Sequence, residues 1–164
     1  MTETNVKIDG HVTPRFETGG AMLIAGLSGR FGPENRDQIP ALWMGWGPKY
    51  FGCTPGQVDR KTYGVCWNMD GEGRLDYLAG VEVKSLEGLP PELTRMTIAP
   101  RRYAVFAHEG RVSQIMRTWM GVFDEWLPKS GRVLAAAPSF ECYDEQFDPA
   151  VAMGLVEIWV PIED

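Results

Sequence analysis

The sequence predicts an α+β domain made of two β-α-β-β units, an antiparallel sheet with helices packed on it and a ligand cleft between the halves. Three observations carry that prediction. Two segments place large apolar residues at helical spacing, the segments around them alternate as strands do, and the order strand, helix, strand, strand occurs twice, about 75 to 85 residues apart. The repeat lies in element order and not in residue identity.

In the first half, Arg15 to Phe31 reads as one extended segment through Met22-Leu23-Ile24-Ala25-Gly26-Leu27, with its glycines marking a bulge or bend. Ile39, Leu42, Trp43, Trp46 and Tyr50 then share one helical face, with Pro40 in the first turn, where a missing N–H costs nothing. Tyr63, Val65, Trp67 and Met69 alternate with Gly64, Cys66 and Asn68, the pattern of a half-buried strand. Asp70-Gly71-Glu72-Gly73 turns the chain into a second strand, Leu75 to Ser85.

After the linker Gly88-Leu89-Pro90-Pro91, Thr94 to His108 is extended, and Val112, Ile115, Met116, Trp119, Val122, Phe123 and Trp126 trace an amphipathic helix ended by Pro128 and Gly131. Ser139 to Asp144 and Leu155 to Ile162 are the last two strands. Residues 1–13 are an unpatterned lead-in, so 14–164 forms one domain, with repeats over about 14–87 and 92–163.

The totals set outer limits. A chain of 164 residues, 44% apolar and 23% charged, falls in the range of a globular domain. No apolar run approaches the ~20 residues of a membrane span, and no leader pattern is present, which gives a cytoplasmic expectation and no membrane partner. A net charge of -6 with no basic cluster denser than Arg101-Arg102 opposes direct nucleic-acid binding. Cys53, Cys66 and Cys142 are an odd number without paired spacing, so neither a disulfide framework nor a zinc site is expected. No metal and no cofactor is implied. His11 and His108 lie in no haem-attachment motif, and Gly26-Leu27-Ser28-Gly29 lacks the residues of a phosphate loop.

On a strand, Glu141 and Tyr143 share one face while Phe140 and Cys142 share the other. If Glu141 faces inward, no cation is near it in sequence to offset the cost of burying its charge, and a ligand bringing positive charge is favoured. The alternative is a glutamate facing solvent on an edge strand. Glu157 shares a face with Leu155 and Trp159 and is a second candidate, again against a solvated outer position; Glu82 occupies the corresponding place in the first half. Trp43, Trp67, Trp119, Tyr103 and Phe106 are candidate walls, since aromatic faces attract cations, although helical spacing also accounts for Trp43, Trp46, Trp119 and Trp126 as core. His108 and Cys142 form no recognisable nucleophile and base pair, because no acid is placed to orient the histidine.

Arg102-Tyr103-Ala104-Val105-Phe106-Ala107-His108-Glu109-Gly110, Trp126-Leu127-Pro128-Lys129-Ser130-Gly131, Phe140-Glu141-Cys142-Tyr143 and Val156-Glu157-Ile158-Trp159-Val160-Pro161-Ile162 together resemble the gyrase-inhibitor-like (GyrI-like) family of small-molecule-binding domains. That family also provides effector domains of AraC-type and MerR-type regulators. The similarity is closest over Arg101 to Ile162 and looser over Arg15 to Ser85. It implies two β-α-β-β units related by a pseudo-two-fold, with a glutamate in an aromatic pocket between them, and Glu141 lies where that glutamate is expected.

The function it implies is sequestering or sensing aromatic, cationic, drug-like molecules, with Glu141, Tyr143, Trp67, Trp43, Tyr103, Phe106, Trp119, Glu157 and Trp159 as ligand-binding residues. No helix-turn-helix is expected ahead of the domain, so a regulator role requires a partner chain. Two rivals stand beside it. One is a hydrolase opening the strained cyclopropane of DNA-alkylating natural products, with Glu141 or Glu157 as base; the other is a protein-interaction role such as topoisomerase protection, with its partner unidentified.

Overall fold

The computed structural model of the chain describes residues 13–163. The expected lead-in over 1–13, apart from Thr13, and His11 lie outside the described residues. Strands β1 (Arg15–Gly19) and β2 (Met22–Phe31), helix α1 (Ile39–Tyr50), and strands β3 (Thr62–Trp67) and β4 (Leu75–Glu82) make the first half. Strands β5 (Thr94–Ile98) and β6 (Arg101–Arg111), helix α2 (Ile115–Met120) continuing through a π segment (Gly121–Trp126) into α3 (Leu127–Ser130), and strands β7 (Ser139–Asp148) and β8 (Met153–Ile162) make the second.

All eight strands join one antiparallel sheet in the order β1-β6-β8-β7-β3-β4-β2-β5. Read outward from the central β7·β3 pair, the order is symmetric: β8 matches β4, β6 matches β2 and β1 matches β5. The duplication expected from element order is therefore present in the topology.

Each long extended segment, however, breaks in two, and the break closes the sheet. Only Gly20 and Ala21 separate β1 from β2, which stand six places apart in the order. Six strand spacings measure about 29 Å on a flat sheet, whereas three peptide steps reach about 11 Å. The pairing explains how both hold. The register runs from Arg15↔Val105 to Gly19↔Arg101 in β1·β6 and resumes in phase from Met22↔Ile98 to Gly26↔Thr94 in β2·β5. The segments 15–31 and 94–111 are thus two bent strands paired along their length, and the sheet rolls into a barrel of six strands. Closure removes the free edges that an open sheet would present to other chains.

A barrel this narrow is filled by its own side chains. Ile24, Tyr63, Val65, Leu78, Ile98, Tyr103, Val105 and Phe140 occupy the interior. Around Phe140, Tyr63 and Tyr103 pack edge-on and Trp159 stacks with centroids 5.5 Å apart. On the outer surface, α2 covers Ala104, Phe106, Ile158 and Val160, and α1 covers Ala25, Val81 and Val83. Gly26 and Gly80 face each other across β2·β4, and a Cβ on either would strike the opposing backbone, so both must be glycine for the strands to approach this closely.

Helix α1 owes little to intrinsic propensity. Gly45, Gly47 and Pro48 lie within it, costing about 1 kcal/mol per interior glycine and about 3 kcal/mol for an interior proline relative to alanine. Burial of Trp46 and Tyr50 against the sheet, at about 1.5 to 3 kcal/mol per large side chain, offsets this. In the second half the helix does not end at Pro128. The chain stays helical through Pro128, which stands within the continuous helix, and stops at Gly131, whose φ of 72° is left-handed.

Candidate functional site

Glu141 lies on β7, next to the seam between the halves, and its side chain points outward beneath the helices. The alternation expected for this strand holds: Ser139, Glu141 and Tyr143 face the helices, while Phe140 and Cys142 face the barrel interior. The Glu141 residue is only 5% exposed. Oε1 accepts hydrogen bonds from the hydroxyls of Tyr77 (2.7 Å) and Tyr143 (2.8 Å), and Oε2 accepts one from the Trp119 indole N–H (2.9 Å).

The local sequence explains how each donor arrives. Tyr143 is two residues along the same strand. Trp119 comes from α2, immediately before the π segment, in which each turn takes in an additional residue. Tyr77 lies on β4, on the far side of β3, and reaches Glu141 only because the residue between them is Gly64, which pairs with Glu141 across the seam. A Cβ on Gly64 would overlap both the Tyr77 hydroxyl and the Glu141 carboxylate. Trp43 of α1 completes the set, donating its indole N–H to the Tyr77 hydroxyl at 3.0 Å and lying edge-on to Tyr143 with centroids 5.4 Å apart. Both helices are therefore tied to the same acid, one directly and one through a tyrosine.

The electrostatics are unusual. All three donors are neutral, and no ion pair among the described residues includes Glu141. Burial pushes its carboxyl above the ordinary glutamate range, against the three hydrogen bonds, which favour the ionised form. Burial and the neighbouring Glu141 charge also raise the Tyr77 and Tyr143 hydroxyls and the Cys66 thiol, keeping all three neutral. The result is a buried acceptor whose ionised form would have its charge dispersed over hydrogen bonds but not neutralised.

The structure thus brings together Glu141, Tyr143, Trp43 and Trp119, and adds Tyr77 and Gly64, which the sequence reading did not select. It separates the remaining candidates from them. Phe106 is on the same outer surface but packs against Trp126, with centroids 5.0 Å apart. Trp67, Tyr103 and Trp159 belong to the barrel interior. Glu157 faces inward too, paired with Arg15 at 2.7 Å and accepting from the Trp159 indole at 3.2 Å. Glu82, at the end of β4, is raised by burial and by Asp59. His108 and Cys142 do not meet. His108 is buried on the outer surface, with Nδ1 2.8 Å from the Thr118 hydroxyl and Nε2 2.8 Å from the Arg111 carbonyl, whereas Cys142 faces the interior.

A trough of about 330 Å³ opens elsewhere, at the ends of β6 and β8, lined by Glu109, Gly110, Met153, Gly154 and Leu155. It is shallow and holds none of the predicted residues, whereas the surroundings of Glu141 are taken up by Tyr77, Tyr143, Trp119 and Trp43. Among the described residues no group of three or more His, Cys, Asp and Glu is placed to hold a metal, and no helix is long and apolar enough to cross a membrane.

Comparison with known proteins agrees with this architecture. The chain is 29% identical to the transcriptional regulator BrlR of Pseudomonas aeruginosa over 133 residues, covering 80% of this chain and 49% of BrlR; it spans about half the length of that relative. Its fold is similar to that of SAV2435 bound to tetraphenylphosphonium, with a TM-score of 0.72 and 17% identity over 92% of this chain and 93% of the other. It is also similar to EcmrR in a DNA complex, with a TM-score of 0.68 and 15% identity over 93% of this chain and 57% of EcmrR. Residues 13–163 match the GyrI-like small molecule binding domain, and the chain belongs to that family.

Proposed function

We propose that this chain is a cytoplasmic binding domain for aromatic, cationic, drug-like molecules, with Glu141 selecting for positive charge and Tyr143, Trp43 and Trp119 supplying aromatic surface. The observation that carries the reading is the buried Glu141 carboxylate, satisfied by three neutral donors and paired with no cation. A ligand cation placed beside it provides the neutralisation that the protein withholds, and the surrounding rings add favourable contact with their faces. That SAV2435, of similar fold, binds tetraphenylphosphonium supports the ligand class. Three free cysteines fit a reducing compartment.

The test is binding of tetraphenylphosphonium and of the neutral triphenylphosphine oxide, read by tryptophan fluorescence, in the wild type and in Glu141→Gln. Removing the charge is expected to cost the cation about 2 kcal/mol, roughly 30-fold in Kd, and to leave the neutral compound within about twofold. Equal losses for both compounds contradict the assignment.

A further inference from the structure

Beside Glu141 a second buried polar group stands in the opposite situation. Ser139 lies two residues back along β7 on the same face, about 7 Å away at the spacing of a strand, and is 0% exposed. Its hydroxyl has no hydrogen-bond partner among the described residues. Buried hydroxyls are as a rule paired, because one left dry and unpaired forfeits the bonds it makes with water. Three donors converge on the acid, whereas this hydroxyl has a proton and no side chain to give it to.

The polar side chains near Ser139 are donors as well. Cys66 stands opposite it in the register between β3 and β7, and burial holds that thiol protonated. The Arg36 guanidinium lies near enough to act on the same thiol. Its Nη2 donates to the Gly73 carbonyl at 2.8 Å, while its buried Nε, like the serine, has no partner among the described residues. The protons of Tyr77, Tyr143 and Trp119 are already spent on Glu141. The outer face of β7 is thus polarised along its length, with an acceptor at 141 and unspent donors one strand repeat away.

We infer that Ser139 is a second anchor of the site, donating its hydroxyl proton to an acceptor oxygen of the ligand, and that the preferred ligands are aromatic cations carrying a carbonyl about 7 Å from the charged centre. This rests on the binding function proposed above and adds a polar requirement that charge and aromatic surface do not impose. A site holding a buried donor discriminates against an otherwise identical ligand that lacks the acceptor, since the donor then stays unpaired. The same reasoning makes the hydroxyl dispensable for folding, because removing a buried group without a partner costs no hydrogen bond.

The experiment measures the Kd of tetraphenylphosphonium, (4-acetylphenyl)triphenylphosphonium and (4-isopropenylphenyl)triphenylphosphonium by tryptophan fluorescence in wild type and Ser139→Ala, together with the Tm of both proteins. The acetyl oxygen stands about 7 Å from phosphorus, one strand repeat, and the isopropenyl compound carries a methylene group in its place. Wild type is expected to bind the acetyl compound about fivefold more tightly than the isopropenyl compound, and Ser139→Ala to bring that ratio to one or below at an unchanged or higher Tm. A preference that survives in Ser139→Ala overturns the anchor. So does a Tm several degrees lower, which would show the hydroxyl to be held by the fold. If tetraphenylphosphonium binds and wild type does not tell the acetyl from the isopropenyl compound, this inference alone falls; if none of the three binds, the binding function falls and this inference with it.

Discussion

Two carboxylates set among aromatic rings stand on opposite faces of neighbouring strands, and their surroundings differ in one respect. Glu157 lies inside the barrel beside Trp159 with a guanidinium at 2.7 Å; Glu141 lies outside, beneath the helices, with rings and hydroxyls but no cation. From residue types alone the two look alike. The first is already neutralised by Arg15, and an incoming cation would have to compete with that pair; the second is desolvated and has no ion-pair partner among the described residues. Aromatic residues around an acid do not by themselves make a cation site, and the absence of an ion-pair partner is why Glu141, and not Glu157, is the one proposed.

Gly64→Ala should break the comparison most severely. The new Cβ cannot coexist with the Tyr77 to Glu141 hydrogen bond, and a loss of about 3 kcal/mol in unfolding free energy is expected from denaturant titration, accompanied by loss of cation binding. A substitution costing under 1 kcal/mol would mean that the tyrosine reaches the acid by some route other than over the glycine.

The pH dependence of stability sharpens the contrast further. Because the folded-state pKa of Glu141 is raised, its contribution to stability is complete below the ordinary glutamate value and is lost as pH rises through the raised one. Wild type should therefore lose stability relative to Glu141→Gln as pH climbs through that window. Parallel Tm profiles for the two proteins would contradict the burial of an unneutralised charge.

The smallest effect is expected at the other acid. Arg15 and Glu157 are each 22% exposed at the side chain, so Glu157→Gln should cost about 1 kcal/mol or less and leave the ratio of cation to neutral affinity unchanged. A drop in cation affinity matching that of Glu141→Gln would move the site into the barrel.

Much of the fold was legible because periodicity reports the face on which a residue lies. The pairing of Glu141 with Tyr143 and the shared face of Trp43 and Trp46 follow from spacing alone. Periodicity does not report which face the helices cover when both are apolar, and here the barrel interior buries Tyr63, Val65 and Phe140 as fully as the outer face buries Ala79 and Ile158. That is why Trp67, Tyr103 and Trp159 could not be told from Trp43 and Trp119. Closure was hidden for a related reason: pairing between residues 15–26 and 94–105 is non-local and has no signal within either segment. Tyr77 was missed because it acts across an intervening strand. Its signal was Gly64, a glycine inside an otherwise apolar strand, which marks close approach of another group.

The most direct test is to follow the Kd of tetraphenylphosphonium and of triphenylphosphine oxide as pH is lowered from 8 to 4. Protonation of Glu141 removes the charge that the phosphonium neutralises, so its affinity is expected to fall on acidification, with a midpoint above the ordinary glutamate value of 4.5, while the neutral compound stays flat and Glu141→Gln abolishes the dependence. Two ligands weakening together, or a phosphonium affinity indifferent to pH, would show that the carboxylate at 141 does not select the charge.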